Sequence, residues 1–195
     1  SAGATRTIES LADQNLAAIN RHKFDYIVTA CASCNSGLGN IYAEMGDEFE
    51  EMSAKVMDIF VFLVSHGLPE KLETLPKTEQ RIKVTYHDPC HLRNQGITKE
   101  PRQILKALPQ VEFVEMPDAG TCCGLGGTYS VYHYEHTKRI AARKAGNVAS
   151  SGADLVATDC PGCIMQLQDG INHAEGTQRA LHILELLAEA LPDQA

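Results

Sequence analysis

One short pattern occurs twice in this chain. Residues 24–34 read FDYIVTACASC and residues 153–163 read ADLVATDCPGC. In each copy a β-branched and apolar run leads directly into a C-x-x-C, and Cys160 follows Cys31 by 129 residues. A helical stretch precedes each copy, at residues 8–20 and 137–149. In the second stretch Ala141, Ala145 and Val148 recur at helical spacing, and Gly152 stands where a C-cap falls. Helical spacing returns after each C-x-x-C, with Leu38 and Ile41 in one copy and Ile164, Leu167 and Ile171 in the other. Two copies of helix, strand, C-x-x-C, helix is the simplest account. The repeat therefore implies an α/β fold with two pseudo-repeated halves. Each is expected to be a small parallel sheet flanked by helices, with cysteine loops at the strand carboxyl ends.

The second half reads through as a complete unit. Residues 81–86 (RIKVTY) alternate like a strand and run into His87-Asp88-Pro89-Cys90. A helix follows, with Pro101 in its first turn, Ile104, Leu105 and Leu108 on one face, and Pro109 ending it. Residues 111–115 form a second strand leading to Cys122-Cys123-Gly124, and residues 154–158 a third leading to Cys160. Applied to Cys122-Cys123, the repeat offset falls upstream of residue 1. Residues 1–75 are thus expected to be the C-terminal part of a truncated first unit and residues 81–195 a complete second one. The Lys-, Glu- and Thr-rich stretch 69–80 is the expected linker between them. Residues 178–190 read as an amphipathic helix carrying His182, a structural residue on this reading.

Composition narrows the function. A net charge of −8 without a long basic run disfavours nucleic acid, whose phosphates an acidic surface repels. No segment reaches the roughly 18 to 20 apolar residues that span a bilayer. The most apolar stretch, residues 57–64, contains Asp58 and reads as the buried end of a helix. Residues 1–20 lack the apolar core of a secretory signal. Seven cysteines, an odd and clustered set, argue against a secreted disulfide framework and for metal binding or redox chemistry in a reducing compartment. A cytoplasmic location is expected, peripheral to the inner face of the membrane where partners hold it there.

Five of the cysteines form one pattern: Cys90, then 31 residues, Cys122-Cys123, then 36 residues, and Cys160-x-x-Cys163. Each follows a strand or a short loop after one, so a parallel sheet would bring them together. Thiolates are the usual ligands of iron–sulfur clusters. Cys163 opens a helix, whose N-terminal N–H groups favour a thiolate. Gly124-Leu125-Gly126-Gly127 lets the backbone approach and offer N–H groups to sulfur. Adjacent cysteines make a strained disulfide, so Cys122-Cys123 reads better as two ligands. Structural zinc is the alternative, with four thiolates bound and one spare. Cys31 and Cys34 could be a thioredoxin-like dithiol, a zinc half-site or the orphaned half of a cluster site, the last being favoured.

The set Cys90-x31-Cys122-Cys123-Gly124-x35-Cys160-Pro161-Gly162-Cys163 resembles the CCG cysteine-rich domain. That domain occurs, usually twice, in the B-type subunit of heterodisulfide reductase and in iron–sulfur subunits of glycolate and lactate oxidases and of anaerobic glycerol-3-phosphate dehydrogenase. YHDPCHL at residues 86–92, with TCCGLGGTYS and DCPGC, is most similar to the glycolate and lactate oxidase subunits. The resemblance implies that Cys90, Cys122, Cys123, Cys160 and Cys163 ligate a 4Fe–4S cluster, noncubane in the heterodisulfide reductase branch, with zinc as an alternative occupant in isolated protein. It implies an electron-transfer subunit of a multi-component oxidoreductase acting on a 2-hydroxy acid such as glycolate or lactate. An FAD-containing oxidase or dehydrogenase subunit would perform the substrate chemistry, and quinone or another acceptor would take the electrons. The chain by itself would then turn over no substrate. Two alternatives stand beside this: a cluster that acts directly on disulfides, as in heterodisulfide reductase, and a zinc-stabilised interaction module.

The remaining candidates have plainer readings. His87 and His91 flank Cys90 and could tune a cluster through hydrogen bonds or ligate metal, although loop-capping and surface histidines are commoner. Asp88 and Asp159 read as turn caps. Tyr129, Tyr132 and Tyr134 read as packing residues. Gly124–Gly127 fits neither dinucleotide nor Walker phosphate-loop patterns.

Overall fold

The computed structural model describes residues 5–191, so the outermost residues of both expected units lie outside the described residues. The first half begins with helix α1 (Thr5–Ile19), which buries Ala12 and Leu16. Strand β1 (Ile27–Thr29) ends at the first cysteine loop, and helix α2 (Ala32–Ser36) starts from Cys31. The helix then loosens into a π turn at Gly37–Ile41 and a 3-10 turn at Tyr42–Met45. Helix α3 (Asp47–Ser53), strand β2 (Val56–Asp58), helix α4 (Ile59–Ser65) and helix α5 (Leu68–Glu73) complete this half. β1 and β2 pair in parallel, Thr29 opposite Asp58.

The second half contains β3 (Ile82–Tyr86), α6 (Cys90–Asn94), α7 (Lys99–Ala107) and β4 (Val111–Phe113). It continues with α8 (Tyr129–Tyr132), α9 (Tyr134–Ser150), β5 (Leu155–Thr158), α10 (Pro161–His173), β6 (Arg179–His182) and α11 (Ile183–Ala190). The four strands form one parallel sheet in the order β4-β3-β5-β6. From β3 the chain moves outward to β4, then returns to the other side of β3 for β5 and moves outward again to β6. The strand order thus reverses between β3 and β5. In open α/β sheets the crevice beyond the carboxyl ends at such a point is where ligands bind. Here those ends lead to Cys90 and Cys160.

The sheet is buried on both faces, and β5 shows how. Leu155 and Ala157 point into one apolar cluster with Tyr86, Ile104, Leu108, Ile183 and Leu186, while Val156 points into the other with Val148, Leu167 and Ile171. This is the two-residue period of a strand covered on both sides. The first cluster also takes in Phe60 and Leu72 from the first half. Burying a side chain of this size is worth about 1.5–3 kcal/mol. The two halves therefore share one core.

Three expectations are corrected. The stretch 69–80 is a linker only in part: α5 runs through its first residues and buries Leu72, because the leucines of LPEKLE sit one turn apart and face the core. Residues 57–64 are not one helix. Met57 and Asp58 belong to β2, and the Asp58 carboxylate accepts the Phe60 N–H at 2.9 Å as the N-cap of α4. Likewise residues 179–182 of the expected C-terminal helix form β6, with His182 as N-cap of α11 in a capping box with Glu185. Asp58 and His182 thus occupy matching places, each the last residue of a strand, an N-cap, and followed by isoleucine.

Candidate metal centre

All seven cysteines are free thiols, and the loops that carry them meet at the carboxyl ends of the two sheets. The strand β3 delivers His87, whose backbone N–H donates to the Ala157 carbonyl at 2.9 Å and whose carbonyl accepts the Thr158 hydroxyl at 3.0 Å. A little further on, Cys90 opens α6, half-buried. Strand β5 delivers Asp159 and Cys160, and Cys160 is the N-cap of α10. Cys163 is buried in the first turn of that helix. Gly162 has a reason to be glycine: a Cβ there would fall 2.7 Å from Leu125 Cδ2.

The Cys122-Cys123 loop closes the site from above. Gly124 has φ 99°, and a Cβ on it would meet the Thr137 carbonyl at 3.0 Å and Ile140 Cβ at 3.1 Å. Only glycine lets the loop lie this close to α9. The turn places Cys123 Sγ 3.5 Å from Cys163 Sγ, and the Gly124 N–H donates to Cys122 Sγ at 3.3 Å. One His87 ring nitrogen joins the sulfurs of Cys123 and Cys163 in a group whose ligand atoms all lie within 4.8 Å of one another. Cys160 sits beside Cys163, and Cys90 lies close enough to Cys122 to act on it electrostatically. Cys90, Cys122 and Cys160 border the inner trio without joining it at that distance.

Crowded thiols share their protons. Hydrogen bonds from Cys122 and Cys163 hold Cys123 far below the ordinary thiol range, against the opposing effect of burial. Cys122 and Cys163 are driven up in turn, each chiefly by its hydrogen bond to Cys123. Hydrogen bonding to Cys163 lowers Cys160 to about 5, with Ser33 and the Gly162 N–H contributing. A site that stabilises thiolates when empty is disposed to bind a thiophilic metal or cluster. Thiolate sulfur, a glycine turn that brings the backbone close and a helix N-terminus together fit an iron–sulfur cluster.

The first-half cysteines are brought to the edge of the same site. Ala32 donates its N–H to the Asp159 carbonyl at 3.0 Å, and the His182 ring bonds the Ala30 carbonyl at 3.0 Å. Ser33 Oγ lies 3.0 Å from His91 Nδ1 and 3.8 Å from Cys160 Sγ. Asn35 links Thr29 to Gln95. Cys34 is exposed, and its pKa is raised by partial burial and by Cys31 and Cys160 nearby.

Several residues that hold the site carry no cysteine signature. Arg102 makes two bonds to Asp88 at 2.6 and 2.8 Å and two to Glu115 at 2.8 and 2.7 Å, tying the loop after β3 to the loop after β4. Lys144 is 1% exposed, and its ammonium donates to the carbonyls of Asp118 and Ala119, both at 2.8 Å, which fixes the approach to Cys122. A lysine at the centre of the stripe Ala141, Ala145, Val148 was the one available signal. Asp88 and Asp159 are not turn caps: Asp88 is Arg102's partner, and Asp159 accepts the Tyr86 hydroxyl at 2.6 Å in a buried position. Tyr132 is 79% exposed and Tyr129 and Tyr134 each 43%, so these tyrosines do not pack in the core.

A parallel α/β sheet with cysteines converging at its switch point defines a class of α/β domains with a cysteine-lined site. Within it, the chain belongs to the CCG cysteine-rich domain family, which matches residues 1–39 and 84–168. The chain is 35% identical over 193 residues to a fumarate reductase (CoM/CoB) subunit of Methanothermobacter marburgensis, covering 98% of this chain and 37% of that protein. It is 34% identical over 200 residues to a probable glycolate oxidase iron–sulfur subunit of Bacillus subtilis, covering 96% and 44%. With a dihydromethanophenazine:CoB–CoM heterodisulfide reductase subunit of Methanosarcina mazei it shares 30% identity over 187 residues, covering 93% and 44%. The chain spans less than half the length of these relatives. No helix among the described residues is long and apolar enough to cross a membrane.

Proposed function

We propose that this chain is an iron–sulfur portion of a multi-component oxidoreductase, in which Cys90, Cys122, Cys123, Cys160 and Cys163 hold a 4Fe–4S cluster that relays electrons. The observation that carries this reading is the meeting of Cys123 and Cys163 at 3.5 Å beyond the switch point of the sheet. Residues 81–195 act as the cluster unit, and residues 1–75 as the C-terminal part of another copy of the same repeat. Matching strand, cysteine loop and N-cap positions in the two halves support that division. Glycolate or lactate is the proposed substrate of the whole complex, supported by the likeness to the glycolate oxidase subunit. A flavoprotein partner removes the hydride equivalent, and quinone or another carrier accepts the electrons.

Anaerobic purification followed by iron, sulfide and zinc analysis tests the reading. About four iron and four sulfide per chain with a broad brown absorbance are expected. Stoichiometric zinc with no iron after reconstitution would remove electron transfer from this chain. Absence of any flavoprotein partner on native isolation would count against the 2-hydroxy-acid assignment.

A specific observation also favours disulfide chemistry. The Cys31–Cys34 pair lies beside Cys160 across Ser33, so thiols and the proposed cluster site share one edge. Two electrons from the partner oxidoreductase and two protons would convert one bound disulfide to two thiols. Reconstituted protein that turns over no disulfide with a supplied reductant eliminates this second activity.

A further inference from the structure

His87 is 1% exposed, and among the described residues neither of its ring nitrogens has a hydrogen-bond partner. A neutral imidazole carries one N–H donor and one acceptor, and leaving such a group unpaired in a dry interior forfeits its hydration with nothing in return. Its backbone N–H and carbonyl are both bonded to β5, which fixes the point from which the ring projects. One nitrogen lies within 4.8 Å of the sulfurs of both Cys123 and Cys163. An apolar side chain would fill this space without the penalty, so the imidazole calls for a partner, and the two sulfurs are the polar atoms beside it.

We propose that His87 is a positioning residue of the metal site, donating its ring N–H to the sulfur of Cys123 when the site is loaded. This inference rests on the reading that these cysteines bind an iron–sulfur cluster. Five thiolates already outnumber the irons of a 4Fe–4S cluster, so the imidazole is not needed as a ligand. Cysteinyl sulfur carries excess negative charge and gains from N–H donors, which tune such clusters. The Gly124 N–H is spent on Cys122, so the His87 ring is an unspent donor beside Cys123. The hydrogen bond stabilises the more negative, reduced state over the oxidised one.

The test compares the anaerobically loaded protein with His87→Leu and His87→Gln, after iron and sulfide have been counted on each sample. The leucine variant is expected to retain its cluster with a lowered midpoint potential. Glutamine keeps an N–H and is expected to restore most of the shift. In wild-type protein labelled with ¹⁵N-histidine, pulsed EPR of the paramagnetic cluster should show a weak nitrogen coupling and an exchangeable proton. A loaded leucine variant at the wild-type potential overturns the proposal. So does a strong, directly bonded nitrogen coupling, which would make His87 a ligand, or no coupling at all. Wild-type protein without iron and sulfide overturns the cluster reading together with this one, whereas a loaded sample lacking the coupling overturns only the role of His87. If both variants fail to fold, the labelled wild-type spectrum decides alone.

Discussion

The two C-x-x-C loops share a pattern and differ in setting. Each follows a short parallel strand and opens a helix, yet Cys160 and Cys163 are buried while Cys34 is exposed and Cys31 half-buried. Between the second pair stand Pro161 and Gly162, and the glycine lets Leu125 press on the loop. Between the first pair stand Ala32 and Ser33, and the serine reaches across to His91 and Cys160. After Cys160 the helix α10 runs for 13 residues; after Cys34 the helix loosens within a few residues. Hydrogen bonds lower Cys160 to about 5, whereas partial burial and the neighbouring thiols raise Cys34. One motif thus gives a thiolate site where two further loops converge on it, and a protonated thiol where they do not. The C-x-x-C supplies sulfur; the loops from the neighbouring strands supply the site.

The largest expected effect separates the two pairs directly. Cys163→Ser should abolish most iron binding, while Cys34→Ser should leave the iron content of loaded protein near the wild-type value. Metal analysis of the two variants side by side checks this, and equal losses would mean that both pairs serve one centre.

Next in size is a challenge to the independence of the halves. Phe60 comes from the first half but is wholly buried in the core beneath the second sheet. Phe60→Ala is expected to cost about 3–5 kcal/mol and to weaken the whole molecule in one cooperative transition. Two separate denaturant transitions, with only one of them shifted, would show that the shared core is not what couples the halves.

How much of this was readable beforehand follows from which interactions are local. The strands before the cysteines are short apolar runs, and the helix at Lys99–Ala107 announces itself through Ile104, Leu105 and the prolines around it. The cysteine spacing pointed to one site because a parallel sheet aligns its strand ends. β6 carries no signal of its own because four residues, RALH, run straight into the apolar ILELLAEA helix, and the joint stretch reads as one amphipathic helix. Its match to β2 and Asp58 is visible only once both are seen to end a strand and cap a helix. The bonds of Arg102 and Asp159 were not legible at all, since a link between loops depends on tertiary placement and leaves no periodicity. His87 was visible as a neighbour of Cys90, but its burial was not.

A smaller effect probes the paired N-caps. His182 bonds the Ala30 carbonyl, while at the matching place Asp58 adds its charge to the burial that drives Asp159 well above the usual carboxylate range. Burial, opposed by the Phe60 and Val61 N–H groups, raises Asp58 from 3.8 to about 6. The folded state therefore holds the Asp58 proton more tightly than the unfolded chain. This contribution is fully present below pH 3.8 and is lost as pH rises through about 6. Asp58→Asn keeps an N-cap oxygen and removes the charge. It should be more stable than wild type above that window, by about 3 kcal/mol at most, and the gain should fade toward about pH 4. Denaturant melts at several pH values measure this, and a gain independent of pH would show that the buried charge is not the cause.

The smallest expected effect tests the link between the two loops. Ser33 Oγ is 3.8 Å from Cys160 Sγ and helps lower that thiol, though less than the bond from Cys163 does. Ser33→Ala should therefore raise the pKa of Cys160 only slightly, by the equivalent of about 0.5–1 kcal/mol for one modest hydrogen bond. The same substitution frees His91 Nδ1, which Ser33 engages at 3.0 Å, and so loosens the contact between α2 and α6. The pH dependence of Cys160 alkylation in metal-free protein, followed by peptide mass analysis, reads the shift. An unchanged midpoint would mean that Ser33 only joins the loops mechanically. A shift as large as that caused by Cys163→Ala would instead make the first-half loop an equal partner in the chemistry of the second, and the contrast between the two motifs would have to be redrawn.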